Sequence, residues 1–452
     1  MTSTSEETDL YGFPIVERMR DFDIPGVSIA VIEAGTVVEK RCFGVRTSTD
    51  PSPVTESTRF QACSISKPVC SLAMLRLVDR GRLDLDADVN VYLPSWQVPA
   101  NGDWQPRVTL RQLASHSAGL TVHGFPGYQP GTPLPTTVEI LTGTAPANTA
   151  GVRVDIVPGV QFRYSGGGTT VMHLVLEEVT GTPLADLIRE LVLDPLDMKH
   201  SGYEQPLPEM LHDEAATAHR TDGSPVDGRW HVYPELGAAA LWTTPTDLCR
   251  YAIGVQQALA GATGGLISAE LAEAMLTPQA PPSPGAERIG RLNSVGLGPF
   301  LRHEDGRTTY FGHSGGNEGF RCHLLAHRDG FGAAVMTNSD NGGWLLADVF
   351  DAIAQAHGWD GYASDRMGEL PPRGTALDRF TGVFELPSGM GVDVVRRGDR
   401  LDVTIGSQPP IGFAASTASR LESMFVDATL TLDDAGNLLL RQSDQEHVCR
   451  RR

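Results

Sequence analysis

The first long apolar stretch alternates. Val27-Ser-Ile-Ala-Val-Ile-Glu33 runs into Ala34-Gly35 and returns as Thr36–Phe43, which predicts a β-hairpin near the N-terminus. The period then changes. Val69, Leu72, Leu75 and Val78 recur at helical spacing, so a helix is expected from about Ser64 to Arg80, with Gly81 as its stop. Pro68 fits only because it falls in the first turn. From about residue 85 to 290 the pattern is loops and helices. The helices read as Thr169–Thr180, Pro183–Leu193, Thr246–Leu259 and Ser268–Leu276. The third has Thr244 as N-cap and Pro245 at its first position.

Strand patterning returns at Val295–Leu301 and Arg307–Phe311. A second hairpin follows, Arg321–Ala326 and Phe331–Asn338, turning at Asp329-Gly330, and then a helix, Trp344–His357. Pro371-Pro372-Arg373-Gly374 reads as a linker. Beyond it lie only short strands: Gly391–Arg396, Arg400–Ile405, Leu421–Val426, Thr429–Leu432 and Asn437–Gln442. Their close spacing predicts a small barrel or curled sheet. The reading is therefore two domains, residues 1–372 and 373–452, which suits a chain of 452 residues.

Composition narrows the function classes. A net charge of −19 disfavours a nucleic-acid partner. The longest apolar runs, Val27–Ile32 and Ala238–Trp242, are far too short to span a membrane. Met1–Asp9 is polar and acidic with no basic or apolar region, so no export signal is visible and a cytoplasmic location is expected. The six cysteines form no CxxC pair and read as reduced, mostly buried thiols. No HExxH is present, and neither metal nor cofactor is expected. Only Lys40, Lys67 and Lys199 are lysines; the other 33 of the 36 basic residues are arginine. A lysine kept in so arginine-rich a chain marks a position where the amine itself could be required.

That makes Ser64-Ile-Ser-Lys67 the first chemical candidate. Positions i and i+3 share one helix face, so the Lys67 amine can reach the Ser64 hydroxyl. A neutral amine there could accept the serine proton and create an acyl acceptor. Burial or a neighbouring charge must first bring the amine down from about 10.4. The helix N-terminus offers backbone N–H groups to an oxyanion. The bland alternative is a serine cap beside a surface lysine.

The second candidate is Tyr164, just before Gly166-Gly167-Gly168 and a helix; a phenol beside a cation could relay protons. Taken alone, this segment reads better as a glycine-rich turn with a packed aromatic. The third is Gly312-His313-Ser314-Gly315-Gly316. It satisfies G-x-S-x-G, but the nucleophile elbow requires a strand followed by a helix. Here a hairpin follows, so the segment reads as a glycine-flanked strand along a site, with His313 pointing in and the Gly316 N–H facing an acyl carbonyl.

Ser64-x-x-Lys67, Tyr164 and His313-Ser314-Gly315, in that order, resemble the motifs of the serine β-lactamase and penicillin-binding protein superfamily, in its class C β-lactamase-like branch. Leu113–Leu120, Asp194–Met198 and Leu241–Leu248 resemble three further segments of that branch. The resemblance covers about residues 10–360. It implies an α/β (α+β) fold: an antiparallel sheet built from N- and C-terminal strands, flanked by helices, with a helical subdomain between. The C-terminal strands resemble a lipocalin-like β-barrel appendage.

Carried over, Ser64 is the nucleophile, Lys67 its activator, Tyr164 the second acid/base, and His313 stands where lysine is usual. The N–H groups of Ser64 and Gly316 form the oxyanion hole. Substrate contacts are expected from Gly166, Gly315, Asn317 and Trp242. Gly166 replaces a usual asparagine, and both departures argue against efficient β-lactam hydrolysis. The implied activity is hydrolysis or acyl transfer on small esters, amides or peptides, with an esterase-like bias. A thioesterase that takes a peptide from a carrier protein and cyclises it is the rival, and a non-catalytic binding module is the third reading.

Overall fold

The computed structural model describes residues 9–281, 287–359, 361–364, 374–398, 400–408, 410–417, 419–423, 428–442 and 445–452. The chain divides into two compact units, residues 1–365 and 366–452. The linker expected at Pro371–Gly374, and with it the boundary between 372 and 373, lies outside the described residues as far as Arg373.

In the first unit the strands are β1 (Gly26–Glu33), β2 (Thr36–Thr47), β3 (Asp50–Pro53), β4 (Phe60–Gln61), β5 (Trp242–Thr243), β6 (Ser294–Val295), β7 (Phe300–Glu304), β8 (Arg307–Asn317), β9 (Phe320–His327) and β10 (Gly332–Thr337). Eight of them form one antiparallel sheet in the order β3-β2-β1-β10-β9-β8-β7-β6. The N-terminal hairpin is thus zipped to the C-terminal one, with Val27 opposite Thr337 and Ile32 opposite Gly332. Side chains alternate across a strand, so Ala30, Ile32, Leu324 and Met336 face one core, which includes the helices Ser66–Asp79, Gly166–Thr180 and Pro245–Leu259. Val27, Ile29, Val31, Leu325 and Val335 face the other, under the helices Ile15–Asp21 and Gly342–Ala356. Both faces are covered, which is why β1 is buried along almost its whole length.

Several elements differ from the sequence expectation. Val295–Leu301 is not one strand. Gly296 N donates to Pro299 O at 2.9 Å, closing a turn between β6 and β7. Gly298 sits at φ +114°, and a Cβ there would lie 2.7 Å from Ser71 Cβ, so only glycine lets this turn press on the helix. β8 does not stop at Phe311 but continues through Asn317, so Gly312–Gly316 is interior strand. Pro183–Leu193 is helical only to Ile188 and continues as a π-helical segment, Arg189–Leu193.

The second unit is a closed eight-stranded barrel, β11 (Gly382–Glu385), β12 (Gly391–Arg397), β13 (Arg400–Ile405), β14 (Ile411–Ala415), β15 (Arg420–Ser423), β16 (Ala428–Leu432), β17 (Leu438–Gln442) and β18 (Gln445–Arg451). Closure comes from β11 and β18, pairing Phe384 with Arg451. Phe384, Val392, Val394, Leu401, Val403, Phe413 and Leu430 fill its interior. β11, β14 and β18 are absent from the sequence reading. The expected strand Leu421–Val426 is described only to Ser423.

Candidate active site

Ser64 stands on a single turn of 3₁₀-helix, Cys63–Ile65, that runs straight into the helix Ser66–Asp79. The turn is held from several sides. Ala62 N donates to Leu241 O at 2.7 Å, Leu241 N donates to Ser66 Oγ at 3.0 Å, and the buried Tyr203 hydroxyl donates to Ser66 O at 2.8 Å. Just ahead of the serine, Cys63 takes φ +55°, a left-handed conformation costing roughly 1–2 kcal/mol outside glycine. Such strain persists only where the surroundings over-determine it.

Lys67 follows one turn later. Its Nζ donates to Ser64 Oγ at 3.0 Å and to Ala238 O at 2.8 Å. The side chain is buried, and burial pulls the amine down to about 7, so an appreciable share of it is neutral near neutral pH. The ammonium also lies 5.0 Å from the centre of the Tyr164 ring. Tyr164 itself is pushed well above its ordinary range, first by burial; its hydrogen bond with Ser64 works in the opposite sense. It therefore holds its proton and is a donor at neutral pH. Its ring lies against His116 at 4.3 Å, His123 at 4.9 Å and His313 at 6.1 Å between centroids.

His313 is buried and neutral. Burial first, then the nearby Lys67, brings its imidazole down to about 3. Its Nδ1 lies 2.5 Å from Ser314 O. A carbonyl can only accept, so Nδ1 carries the proton and Nε2 is a bare acceptor, buried and without a partner. The third motif thus presents no fixed cation. His116 is likewise held well below its usual value, by burial and then by Lys67; its Nδ1 accepts from Ser165 N at 3.2 Å.

β8 passes behind the nucleophile. A Cβ on Gly315 would stand 2.4 Å from both Ala62 O and Cys322 Sγ, so glycine is what allows the strand to touch the turn that carries Ser64. The resulting cleft has a volume of about 450 Å³. Ser64, Tyr164, His313, Ser314 and Gly316 line it, together with His123, Phe162, Glu287, Arg288 and Phe300. A larger hollow of about 700 Å³, lined by Gln256, Glu273, Arg307 and Arg328 among others, contains none of these groups.

The structure therefore brings Ser64, Lys67, Tyr164, His313 and Gly316 together. It does not bring the other expected substrate contacts to the cleft wall. Trp242 is completely buried, edge-on to Trp230 at 4.9 Å and to Phe320 at 5.8 Å, because β5 pairs with β4 beneath the site. Asn317 is also buried, and its amide donates to Gln61 Oε1 at 2.7 Å and to Ala239 O at 3.1 Å, tying β8 to the nucleophile's turn. Gly315 serves the close approach just described. Gly166 is packed against Phe125 and donates to His123 O at 2.9 Å. These four positions shape the frame rather than the wall.

The Ser314 hydroxyl donates to Glu287 Oε1 at 2.7 Å, and the residue lies within a strand. Glu287, Arg288, His123, Phe162 and Phe300 are the site residues that sequence reasoning missed. They lie in irregular segments or at strand ends with no periodic pattern to single them out; Phe162, two residues before Tyr164, was the nearest to being legible. All six cysteines are free, five of them buried. Among the described residues no cluster of three or more His, Cys, Asp or Glu could hold a metal ion, and no helix is long and apolar enough to cross a membrane.

Comparison with known proteins agrees with this fold. The beta-lactamase family model matches residues 15–358. The chain is 29% identical to esterase EstB of Burkholderia gladioli over 245 residues, which is 51% of this chain and 60% of EstB. It is 26% identical to protein flp of Staphylococcus aureus strain N315 over 224 residues, 49% of this chain and 42% of flp. The matches therefore span less than two thirds of these relatives' length. In three dimensions it is similar to the octameric penicillin-binding protein homologue of Pyrococcus abyssi, with a TM-score of 0.63 at 22% identity, covering 96% of this chain and 98% of that one.

Proposed function

The chain belongs to the beta-lactamase family, and from that premise we propose that it is a serine hydrolase forming an acyl-enzyme on Ser64, with small esters as its preferred substrates. The observation that carries the reading is the 3.0 Å contact between Ser64 Oγ and a buried Lys67 amine whose pKa is about 7. Such an amine is a base of the right strength at neutral pH.

In the proposed cycle, neutral Lys67 takes the Ser64 proton as Oγ bonds to the acyl carbon. The N–H groups of Ser64 and Gly316 hold the oxyanion. The C–O bond to the leaving group then breaks, and Tyr164, which keeps its proton at neutral pH, supplies it to the departing oxygen. Water enters by the reverse route, giving its proton to the tyrosinate and its oxygen to the acyl carbon; the acyl carbon–Oγ bond then breaks as the Lys67 ammonium returns a proton to Ser64, releasing the acid. The esterase bias is supported by the similarity to EstB and by a neutral His313, which offers no counter-charge to the carboxylate of a β-lactam. An amine in place of water would turn the same acyl-enzyme into a transacylase or peptide cyclase, and product analysis with a peptidyl thioester distinguishes the two outcomes.

The direct test is fluorophosphonate labelling followed by peptide mapping. The expected adduct is on Ser64, with loss of ester turnover in Ser64→Ala. An adduct on Ser314 would sink the assignment.

A further inference from the structure

The cleft contains one carboxylate that the cycle above leaves unused. Glu287 Oε1 accepts the Ser314 hydroxyl at 2.7 Å. Its Oε2 lies 4.0 Å from His323 Nδ1, beyond hydrogen-bond reach. His323 is itself buried and neutral, brought down to about 3 by its burial, so it brings no positive charge. Burial raises the Glu287 carboxyl above its ordinary value, and only the Ser314 hydroxyl and backbone work the other way; no lysine or arginine offsets it. Arg288 lines the same cleft but already has a partner of its own. Glu287 lines the same cleft as Ser64 and Tyr164, and its charge adds to what holds the proton on Tyr164.

A largely buried carboxylate without a counter-ion among the described residues is costly, and the cost is relieved when a ligand brings the cation. The Ser314 hydroxyl fixes Oε1 as an acceptor, while Oε2, 4.0 Å from His323 Nδ1, can take a second donor. An ammonium supplies both the N–H donors and the charge. His313 points the same way: where a fixed cation would select an anionic substrate, this cleft has a neutral imidazole beside a carboxylate.

We infer that Glu287 is a specificity residue, selecting acyl substrates that carry an ammonium group within reach of the carbonyl bound at Ser64. The inference rests on the serine-hydrolase reading above.

The test uses two esters of equal length, p-nitrophenyl β-alaninate, cationic at pH 7, and p-nitrophenyl butyrate, each corrected for spontaneous hydrolysis. The full-length protein is expected to favour the cationic ester by about tenfold or more in kcat/KM, the scale of one hydrogen bond to a charged group. Glu287→Gln should bring that ratio towards unity. n-Butylammonium should inhibit the wild type competitively at concentrations where n-butanol does not, a measurement that needs no variant if Glu287→Gln fails to fold. If Ser64 is labelled by fluorophosphonate yet the wild type shows no preference, or Glu287→Gln leaves the preference unchanged, the inference is overturned and the hydrolase reading stands. If Ser64 is not labelled and neither ester is turned over, the hydrolase reading falls and takes the inference with it.

Discussion

Replacing Lys67 with arginine isolates the acid–base role of the buried amine. With a pKa of about 7, roughly a tenth of the molecules hold the neutral amine at pH 6 and about nine-tenths at pH 8. The sign is fixed by chemistry: the active form is the deprotonated base, so kcat/KM rises with pH. The expected profile climbs about tenfold between pH 6 and 8 and then levels off, whereas a lysine at its ordinary value of about 10.4 would climb about a hundredfold without a plateau. His313, brought down to about 3, and Tyr164, held above its usual range, add no break between them. Lys67→Arg keeps a proton at every working pH and cannot accept another. It should lose about 10²–10⁴-fold in turnover, the usual worth of a positioned general base, and should lose the pH-dependent climb as well. The assay is p-nitrophenyl butyrate hydrolysis from pH 5 to 9 at constant ionic strength, with melting temperature as the control for folding. Turnover of Lys67→Arg within tenfold of the wild type, on an unchanged profile, would refute the assignment of Lys67 as base.

Gly315→Ala should cut turnover by about a hundredfold, the penalty of displacing reacting groups by about 1 Å, because its methyl must push on Ala62 O, 2.4 Å away; a variant that keeps both its circular dichroism and its activity would show the contact to be slack. Glu235 is buried with neither carboxyl oxygen bonded, and burial pushes its carboxyl up to about 8. The folded form therefore binds protons more tightly than the unfolded one, and the group's contribution, fully present below about pH 4.5, is lost as pH rises through 8. Glu235→Gln should flatten that decline and raise the melting temperature at pH 9 relative to the wild type; superimposable pH–stability curves would refute this. Nitrocefin should be a poorer substrate than p-nitrophenyl butyrate by kcat/KM, since His313 is neutral and Gly166 brings no carboxamide; a clear preference for nitrocefin would overturn the esterase bias.

Much of this protein was legible from neighbours in the chain. The i, i+3 spacing of Ser64 and Lys67 is local helix geometry, and the structure places the two atoms 3.0 Å apart. The helix Pro245–Leu259 begins where its cap, Thr244, said it would, because capping is a contact between adjacent residues. Both hairpins of the main sheet follow from short turns between alternating strands. β12, β13, β16 and β17, each with two apolar inward positions, were visible too; β14 was not, although Phe413 and Ala415 point inward from it. β18 was not, since Gln445–Arg451 buries little beyond Cys449 and is held by its partners' backbones rather than by its own pattern.

The site's decisive properties lie elsewhere. Trp242 and Asn317 look available to a ligand in sequence, but the β4–β5 pair and the Gln61 contact bury them. Glu287 reaches the cleft from an irregular segment, and nothing near it in the chain marks it. Gly315 reads as a motif glycine, yet its reason is the backbone of Ala62, some 250 residues earlier. The lowered pKa of Lys67 depends on desolvation by groups scattered from Ala238 to Tyr164. Periodicity and capping involve residues a few positions apart and can be read along the chain. Burial, close approach and electrostatic environment depend on atoms that become neighbours only when β1 pairs with β10 and the sheet closes over its helices.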